Sequence, residues 1–262
     1  MAVTPVAAAY SATGGAWERG PARIYDRLAE VLIGRSPVPL AGRRVLDVGA
    51  GTGAASRAVL AAGAAEAVAV DAALGMLAHQ AADRPAAVAG DALALPFATS
   101  VFDAAVAAFS LNHVATPAAG LREMARVTRP GGAILAATYA ADDVHPAKEA
   151  VRAALAAHGW APDPWYMSLG VNVLPLLATP ERCADAAQAA ELDATVEAVH
   201  VPFPDLDARD LVAWRLGMAQ HAPFAAGLSG AEREAVVIDA VGRLGDAPPL
   251  VRSVLVLSAI RS

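Results

Sequence analysis

Between residues 44 and 139 short apolar runs alternate with stretches of helical spacing. Arg44 to Val48 is too short for a helix and rich in branched apolar residues, so it reads as a strand. Gly49-Ala50-Gly51-Thr52-Gly53 follows, and Ala54 to Ala62 reads as a helix ended by Gly63. Glu66 to Val70 is a second strand closing on Asp71, and Leu74 to Ala82 is a helix that stops before Pro85. Ala86 to Ala89 is a third strand, ahead of Gly90-Asp91. Phe102 to Phe109 is a fourth, Ala118 to Val127 a helix and Gly132 to Tyr139 a fifth strand. This rhythm predicts βαβ units and a parallel sheet. Helices on both faces explain why the strands are apolar almost throughout.

The pattern loosens outside that core. Residues 1–20 read as irregular, and Ala22 to Leu32 as a helix through Ile24, Leu28, Val31 and Leu32. Beyond Tyr139, Pro146 to His158 is a helix and residues 159–178 are a Pro- and aromatic-containing cover segment. Thr179 opens another helix, Ala194 to Val201 is a strand and Asp207 to Met218 a helix. Ser229 to Leu244 is a helix whose start carries Ser229 and, three residues on, Glu232, a capping-box pattern. Val251 to Ile260 is the last strand. No internal repeat or low-complexity linker divides the chain, so residues 1–262 are expected to form one domain.

Composition narrows the function. Hydrophobic residues make up 56% of the 262 and charged residues 18%, enough for a core and against disorder. Lys plus Arg is 20 against 26 Asp plus Glu, giving −6, and a nucleic-acid surface needs clustered positive charge instead. The single Cys183 excludes an internal disulfide and a multi-cysteine metal site; no metal is expected. The first ten residues carry no Lys or Arg, so no signal-peptide start is read. Ala104 to Leu121 is uncharged but contains Ser110, Asn112, His113, Thr116 and Pro117, which reads as strand and loop rather than a membrane span. The expected address is the cytoplasm.

The glycine loop sits between a strand and a helix, where glycine permits a tight turn and close approach of a ligand. An ordinary βα turn could use the same residues. Three acids narrow the choice. Asp47 lies two residues before Gly49, too near for a pyrophosphate but favourable for a cationic amino-acid head group. Asp71 stands 20 residues after Gly51, where a carboxylate can accept from both hydroxyls of a ribose, in NAD and S-adenosylmethionine alike. Asp91 ends the third strand, where it can accept from an adenine amino group. Three acids at the ends of three consecutive strands beside one glycine loop point to a nucleoside-bearing cofactor.

Val45-Leu46-Asp47-Val48-Gly49-Ala50-Gly51-Thr52-Gly53 resembles the first motif of class I S-adenosylmethionine-dependent methyltransferases. Val68-Ala69-Val70-Asp71, Gly90-Asp91-Ala92-Leu93-Ala94-Leu95-Pro96-Phe97 and Ser110-Leu111-Asn112-His113-Val114 resemble the later ones. Arg122 to Gly132 resembles the helix and turn before the fifth strand. The likeness spans about residues 42–140 and is to the branch that includes ubiquinone/menaquinone C-methyltransferases and natural-product enzymes. It implies an α/β, Rossmann-like, doubly wound sheet of seven strands with the last antiparallel. Residues 194–201 and 251–260 would be the final strands. It implies S-adenosyl-L-methionine as cofactor, with Asp47, Gly49, Ala50 and Gly51 at the methionine end and Asp71 on the ribose. Met76, Asp91 and Ala92 would meet the adenine, and Ser110 would lie near the sulfonium.

Methyl transfer is an in-line displacement in which the protein aligns the reactants and excludes water. A base is needed only where the acceptor must lose a proton. His113, just past the fourth strand, is the candidate base, and Tyr166 is placed with it as catalytic. Packing or capping alone would equally suit a loop histidine. Tyr10 and Trp17 are assigned to the cofactor side. Tyr25, Tyr139, Trp165 and His221 are assigned to a small acceptor, because aromatic residues are scarce and cluster outside the cofactor motifs. The plain alternative is that they fill gaps in an alanine-rich core. Trp214 on a Leu211/Trp214/Met218 stripe and Cys183 read as core. Residues 141–178 and 203–249 exceed what the fold needs and, with an N-terminal lid of residues 1–35, would form a mostly helical cap over a small pocket.

The expected activity is therefore methyl transfer to a small, aromatic or heterocyclic metabolite, as monomer or homodimer, without nucleic-acid or membrane partners. The rival enzyme class is an NAD(P)-dependent oxidoreductase. Asp47 and Asp91 oppose it, and the only lysine, Lys148, forms no Tyr-x-x-x-Lys pair. A cyclase or a regulatory protein on the same fold is the third reading.

Overall fold

The structure is a computed structural model that describes residues 4–79 and 85–262. Three helices precede the sheet: α1 (Pro5–Ser11), α2 (Gly14–Arg19) and α3 (Ala22–Ile33). Then come β1 (Arg44–Val48), α4 (Ala54–Ala61), β2 (Glu66–Asp71), α5 (Leu74–Ala78), β3 (Ala87–Ala89) and β4 (Phe102–Ala108). They continue through α6 (Pro117–Val127), β5 (Thr128–Tyr139), α7 (Pro146–Ala157), α8 (Pro164–Asn172) and α9 (Pro180–Ala189). The chain closes with β6 (Ala194–Phe203), α10 (Ala208–Leu216), α11 (Ala222–Gly227), α12 (Gly230–Leu244) and β7 (Leu250–Ile260).

The strands form one sheet of order β3-β2-β1-β4-β5-β7-β6. β1 to β5 are parallel, while β7 inserts antiparallel between β5 and β6. This is the doubly wound sheet expected, with the last strand reversed. Successive side chains on β1 feed opposite layers. Val45 packs with Leu28, Leu32 and Val59 on one face, and Leu46 with Phe102, Leu121 and Ile134 on the other. Each such burial contributes about 1.5–3 kcal/mol. A separate cluster of Val151, Leu155, Val212, Leu216 and Val236 joins α7, α10 and α12.

Several boundaries differ from the sequence reading, each for a local reason. Residues 5–11 and 14–19 are short helices rather than irregular chain; Thr4 caps the first by accepting from the Ala7 amide. The strand before Asp91 has three residues and lies exposed at the sheet edge, which weakens its apolar signal. β5 begins four residues before Gly132, because Thr128 pairs with Phe102 across a register shift. The helix expected over Leu74 to Ala82 is described only to Ala78, and residues 80–84 lie outside the described residues. The capping box at Ser229 and Glu232 is formed as expected. No helix among the described residues is long and apolar enough to cross a membrane.

Candidate active site

The strand order reverses between β1 and β4, so their carboxyl ends open a crevice, the usual ligand position in such sheets. The turn after β1 depends on glycine. Gly49, Gly51 and Gly53 have φ of +69°, +55° and +93°. At Gly49 steric demand adds to conformation, since a Cβ there would fall 2.2 Å from that of Ser110. Ser110, at the end of β4, donates its hydroxyl to the Val48 carbonyl at 2.6 Å and so ties the two strand ends together.

A cavity of about 400 Å³ occupies this crevice. Asp47, Ala50, Asp71, Met76, Asp91 and Ala92 line it, as do Gly49, Gly51 and Ser110. All nine cofactor candidates from the strand ends and their loops therefore meet in one space. The N-terminal candidates Tyr10 and Trp17 line it too, and so does Tyr25.

The carboxylates are held before any ligand arrives. Asp71 accepts the Gly51 amide at 2.7 Å and the Ala73 amide at 2.7 Å. Its oxygens thus fix the glycine loop to the end of β2. Asp91 accepts from the Leu93 amide at 2.9 Å. Asp47 is 1% exposed and accepts from both the amide and the hydroxyl of Ser56, at 2.8 and 2.7 Å. Helix α4 starts at Gly53, which has no side chain to cap it. Asp47 therefore serves as a cap supplied from β1, a service usually worth about 1 kcal/mol.

His113 lies in a 3₁₀ turn after β4, its Nε2 at 3.1 Å from the hydroxyl of Tyr10. The two rings meet edge to face. Burial pushes the imidazole down to about 4, with backbone hydrogen bonding at Phe109 and Ser110 opposing it. Burial, with the nearby Tyr25, raises the Tyr10 phenol well above its ordinary value. At neutral pH the pair is thus an uncharged imidazole facing an uncharged phenol.

The described cavity lining does not include Tyr139, Trp165, Tyr166 or His221. His221 is buried against Trp160, with Nδ1 at 2.8 Å from the Arg215 carbonyl, and burial lowers it to about 3. Trp165 and Tyr166 pack on each other at the start of α8. Tyr139 stacks on Phe109 at 4.5 Å, which places it one ring behind the wall. Trp214 and Cys183 are buried as expected, and burial raises the thiol to about 12.

Thr52 and Phe109 are among the lining residues that the sequence reading did not single out. Thr52 lies inside the motif but outside the positions singled out there. Phe109 adopts φ +58°, a left-handed conformation that costs a non-glycine residue about 1–2 kcal/mol, and turns the chain out of β4 beside Ser110. No local sequence signal marks such a residue.

The profile of the methyltransferase-domain family matches residues 46–136. Over these residues the chain is similar to a methyltransferase domain. The demethylmenaquinone methyltransferase of Mycolicibacterium paratuberculosis is 43% identical over 134 residues, 51% of this chain and 56% of that protein. That of Mycolicibacterium vanbaalenii is 44% identical over 134 residues, 51% of this chain and 57% of that protein. The chain thus matches only a little over half the length of these relatives. The chain also has the fold of Haemonchus contortus phosphoethanolamine N-methyltransferase 2, solved with S-adenosyl-L-methionine. That likeness has TM-score 0.55 and 20% identity, and covers 90% of this chain and 52% of the other.

Proposed function

We propose that the chain binds S-adenosyl-L-methionine in the crevice cavity and transfers its methyl group to a small, planar, aromatic or heterocyclic acceptor. One observation carries the reading. Asp71, Asp91 and Met76 share a single cavity with the glycine loop and with the Tyr10–His113 pair. The lining thus combines cofactor-type groups and a proton acceptor.

The residues fit this cofactor. Gly51 has φ of +55°, the left-handed region that lets the loop turn beside Met76, where glycine is the residue at ease. Asp71, already oriented by two amides, accepts the ribose hydroxyls; a carboxylate oxygen can take more than one hydrogen bond. Asp91 and the Ala92 backbone read the adenine edge, with Met76 against its face. Asp47 adds negative charge at the ammonium end while it caps α4. When bound, the cofactor supplies a methyl group already activated on a sulfonium.

What the protein adds is alignment and proton handling. Tyr10, Trp17, Tyr25 and Phe109 give the cavity an aromatic side that suits a planar acceptor. His113, neutral at pH 7, accepts the proton of an acceptor hydroxyl or ring N–H at Nε2, the acceptor taking the place that the Tyr10 hydroxyl holds there. The 43% identity to a demethylmenaquinone methyltransferase supports an electron-rich cyclic acceptor as a class.

Calorimetric titration with S-adenosylhomocysteine, beside NAD and NADP, tests the cofactor half. Selective binding at about micromolar concentration is expected. Preference for a dinucleotide would overturn the reading. Phenols, amines and indoles screened with labelled donor then test the acceptor half.

A further inference from the structure

Behind the aromatic wall lies a second polar cluster that the transfer chemistry above leaves unused. Arg215 and Arg252 are 7% and 2% exposed, and both guanidinium carbons lie near the ring of Trp214, at 5.1 and 4.7 Å. Arg252 also sits 4.0 Å from the centre of the Tyr139 ring. It makes a two-bond pair with Asp143, at 2.9 and 2.7 Å, and Lys148 reaches the same carboxylate at 2.7 Å.

Three donors in this cluster are buried without a hydrogen-bond partner among the described residues. They are Nε of Arg215, Nη1 of Arg252 and Nε1 of Trp214. Guanidinium and indole N–H groups can only donate. Lys148 and Arg252 share the one Asp143 carboxylate, and no ion pair to Arg215 is formed among the described residues; His221 beside it is held neutral by burial. Leaving such donors and charge unmatched in the interior is costly, whereas a carboxylate meets guanidinium N–H groups with matching geometry. The cluster is also within reach of the cavity. Tyr25 lines the cavity on one side and faces Tyr139 on the other, with ring centres 6.3 Å apart. Arg252 lies on the face of Tyr139, so the aromatic wall leads from the cavity to this guanidinium group.

We propose that the acceptor carries an anionic oxygen group, a carboxylate in the simplest case, which docks on Arg215, Arg252 and the Trp214 N–H while its ring lies in the aromatic side of the cavity. Tyr25 is the movable layer that gives way to it. This proposal rests on the methyltransferase reading for the identity of its ligand as acceptor, but its binding site can be tested apart from the cofactor.

The experiment is calorimetry on the full chain, with and without saturating S-adenosylhomocysteine, using 4-hydroxybenzoate and indole-3-acetate beside their methyl esters. Each acid is expected to bind about tenfold or more tightly than its ester, since the ester lacks the charge that the buried cations favour. Arg215→Gln is expected to abolish that preference while leaving ester binding and S-adenosylhomocysteine binding within about threefold. Trp214→Phe keeps the ring and removes one donor, so it should weaken only the acids, by about threefold to tenfold. It also serves if Arg215→Gln fails to fold. Equal affinity for acid and ester, no measurable binding of either acid, or a preference that survives both substitutions overturns the proposal. Arginine-dependent binding of the acids without any binding of S-adenosylhomocysteine would leave the anion site standing and remove the cofactor reading.

Discussion

The hydroxyl of Tyr10 and Nε2 of His113 lie 3.1 Å apart, although 103 positions separate them in the chain. The contact joins the N-terminal helix to the turn after β4, directly over the cavity. The bond holds α1 in place and occupies the ring nitrogen that an acceptor's proton would reach.

His113→Ala is therefore expected to reduce turnover by about a hundredfold, the lower range for loss of a positioned base, with cofactor affinity nearly unchanged. Because burial lowers the imidazole to about 4, the rate should be flat from about pH 6 to 8. A steady-state pH profile checks both points. A rate that rises with a midpoint near the ordinary histidine value would mean that this imidazole is not the buried one described.

Asp71→Ala removes a carboxylate that accepts two backbone amides, one of them from the glycine loop. The substitution should weaken S-adenosylhomocysteine binding by more than about tenfold, combining lost ribose contacts with a loosened loop. Calorimetry measures it. An unchanged dissociation constant would remove Asp71 from the ribose site.

Gly49→Ala brings two penalties that a double substitution separates. The residue's φ of +69° costs an alanine about 1–2 kcal/mol, and the new methyl collides with Ser110. Ser110→Gly in the same chain relieves the collision but not the backbone cost. Denaturant titration should show Gly49→Ala several-fold more damaging alone than in the Ser110→Gly background. Additive effects would show that the strand ends do not meet as described.

Acid should destabilise the fold before its carboxylates titrate. His113 and His221 are lowered to about 4 and about 3 by burial, so between their folded values and about 6.5 the unfolded chain binds more protons. Stability from both is present above about pH 6.5 and is lost as the pH falls toward 4. For His221 alone the loss is on the order of several kcal/mol. Thermal melts from pH 7 to 4 should show a falling Tm, and His221→Gln should flatten that fall. A Tm constant over this range would contradict the burial of both rings.

The core of the sheet was legible because period and punctuation agreed there. Glycines, acids and strand ends fall at fixed offsets from one another, so Asp47, Asp71 and Asp91 are traceable to one crevice from the sequence alone. Asp47's second task was not, because a cap supplied by a strand nine residues upstream of Ser56 leaves no mark at the helix start. Tyr139 and His221 illustrate the other gap. Each aromatic residue signals burial, but only the packing of α3, β5 and α10 decides which ring faces the cavity and which stands behind it. The Arg215–Trp214–Arg252 cluster was equally invisible, since Arg252 comes from β7 and Arg215 from α10.

Gly75 on α5 tests whether the N-terminal segment closes the site. A Cβ there would lie 1.8 Å from the Ser11 carbonyl oxygen, a backbone atom that can yield only if α1 moves. The neighbouring contacts share this dependence: Gly14 abuts His79, and the Thr13 hydroxyl reaches the Met76 sulfur at 3.7 Å. Gly75 itself has no left-handed φ, so alanine brings no backbone strain there and should even favour the helix. Gly75→Ala is accordingly expected to lift α1 and α2, break the Tyr10–His113 contact and expose Arg19 to trypsin about tenfold faster. Ligand affinity should fall with it, because Tyr10 and Trp17 leave the cavity wall. The Tm should move by only a few degrees, since the main packing on both sheet faces is made by other residues. Unchanged cleavage at Arg19 together with unchanged S-adenosylhomocysteine binding would mean that the segment is not held through Gly75, and the lid would have to be anchored elsewhere.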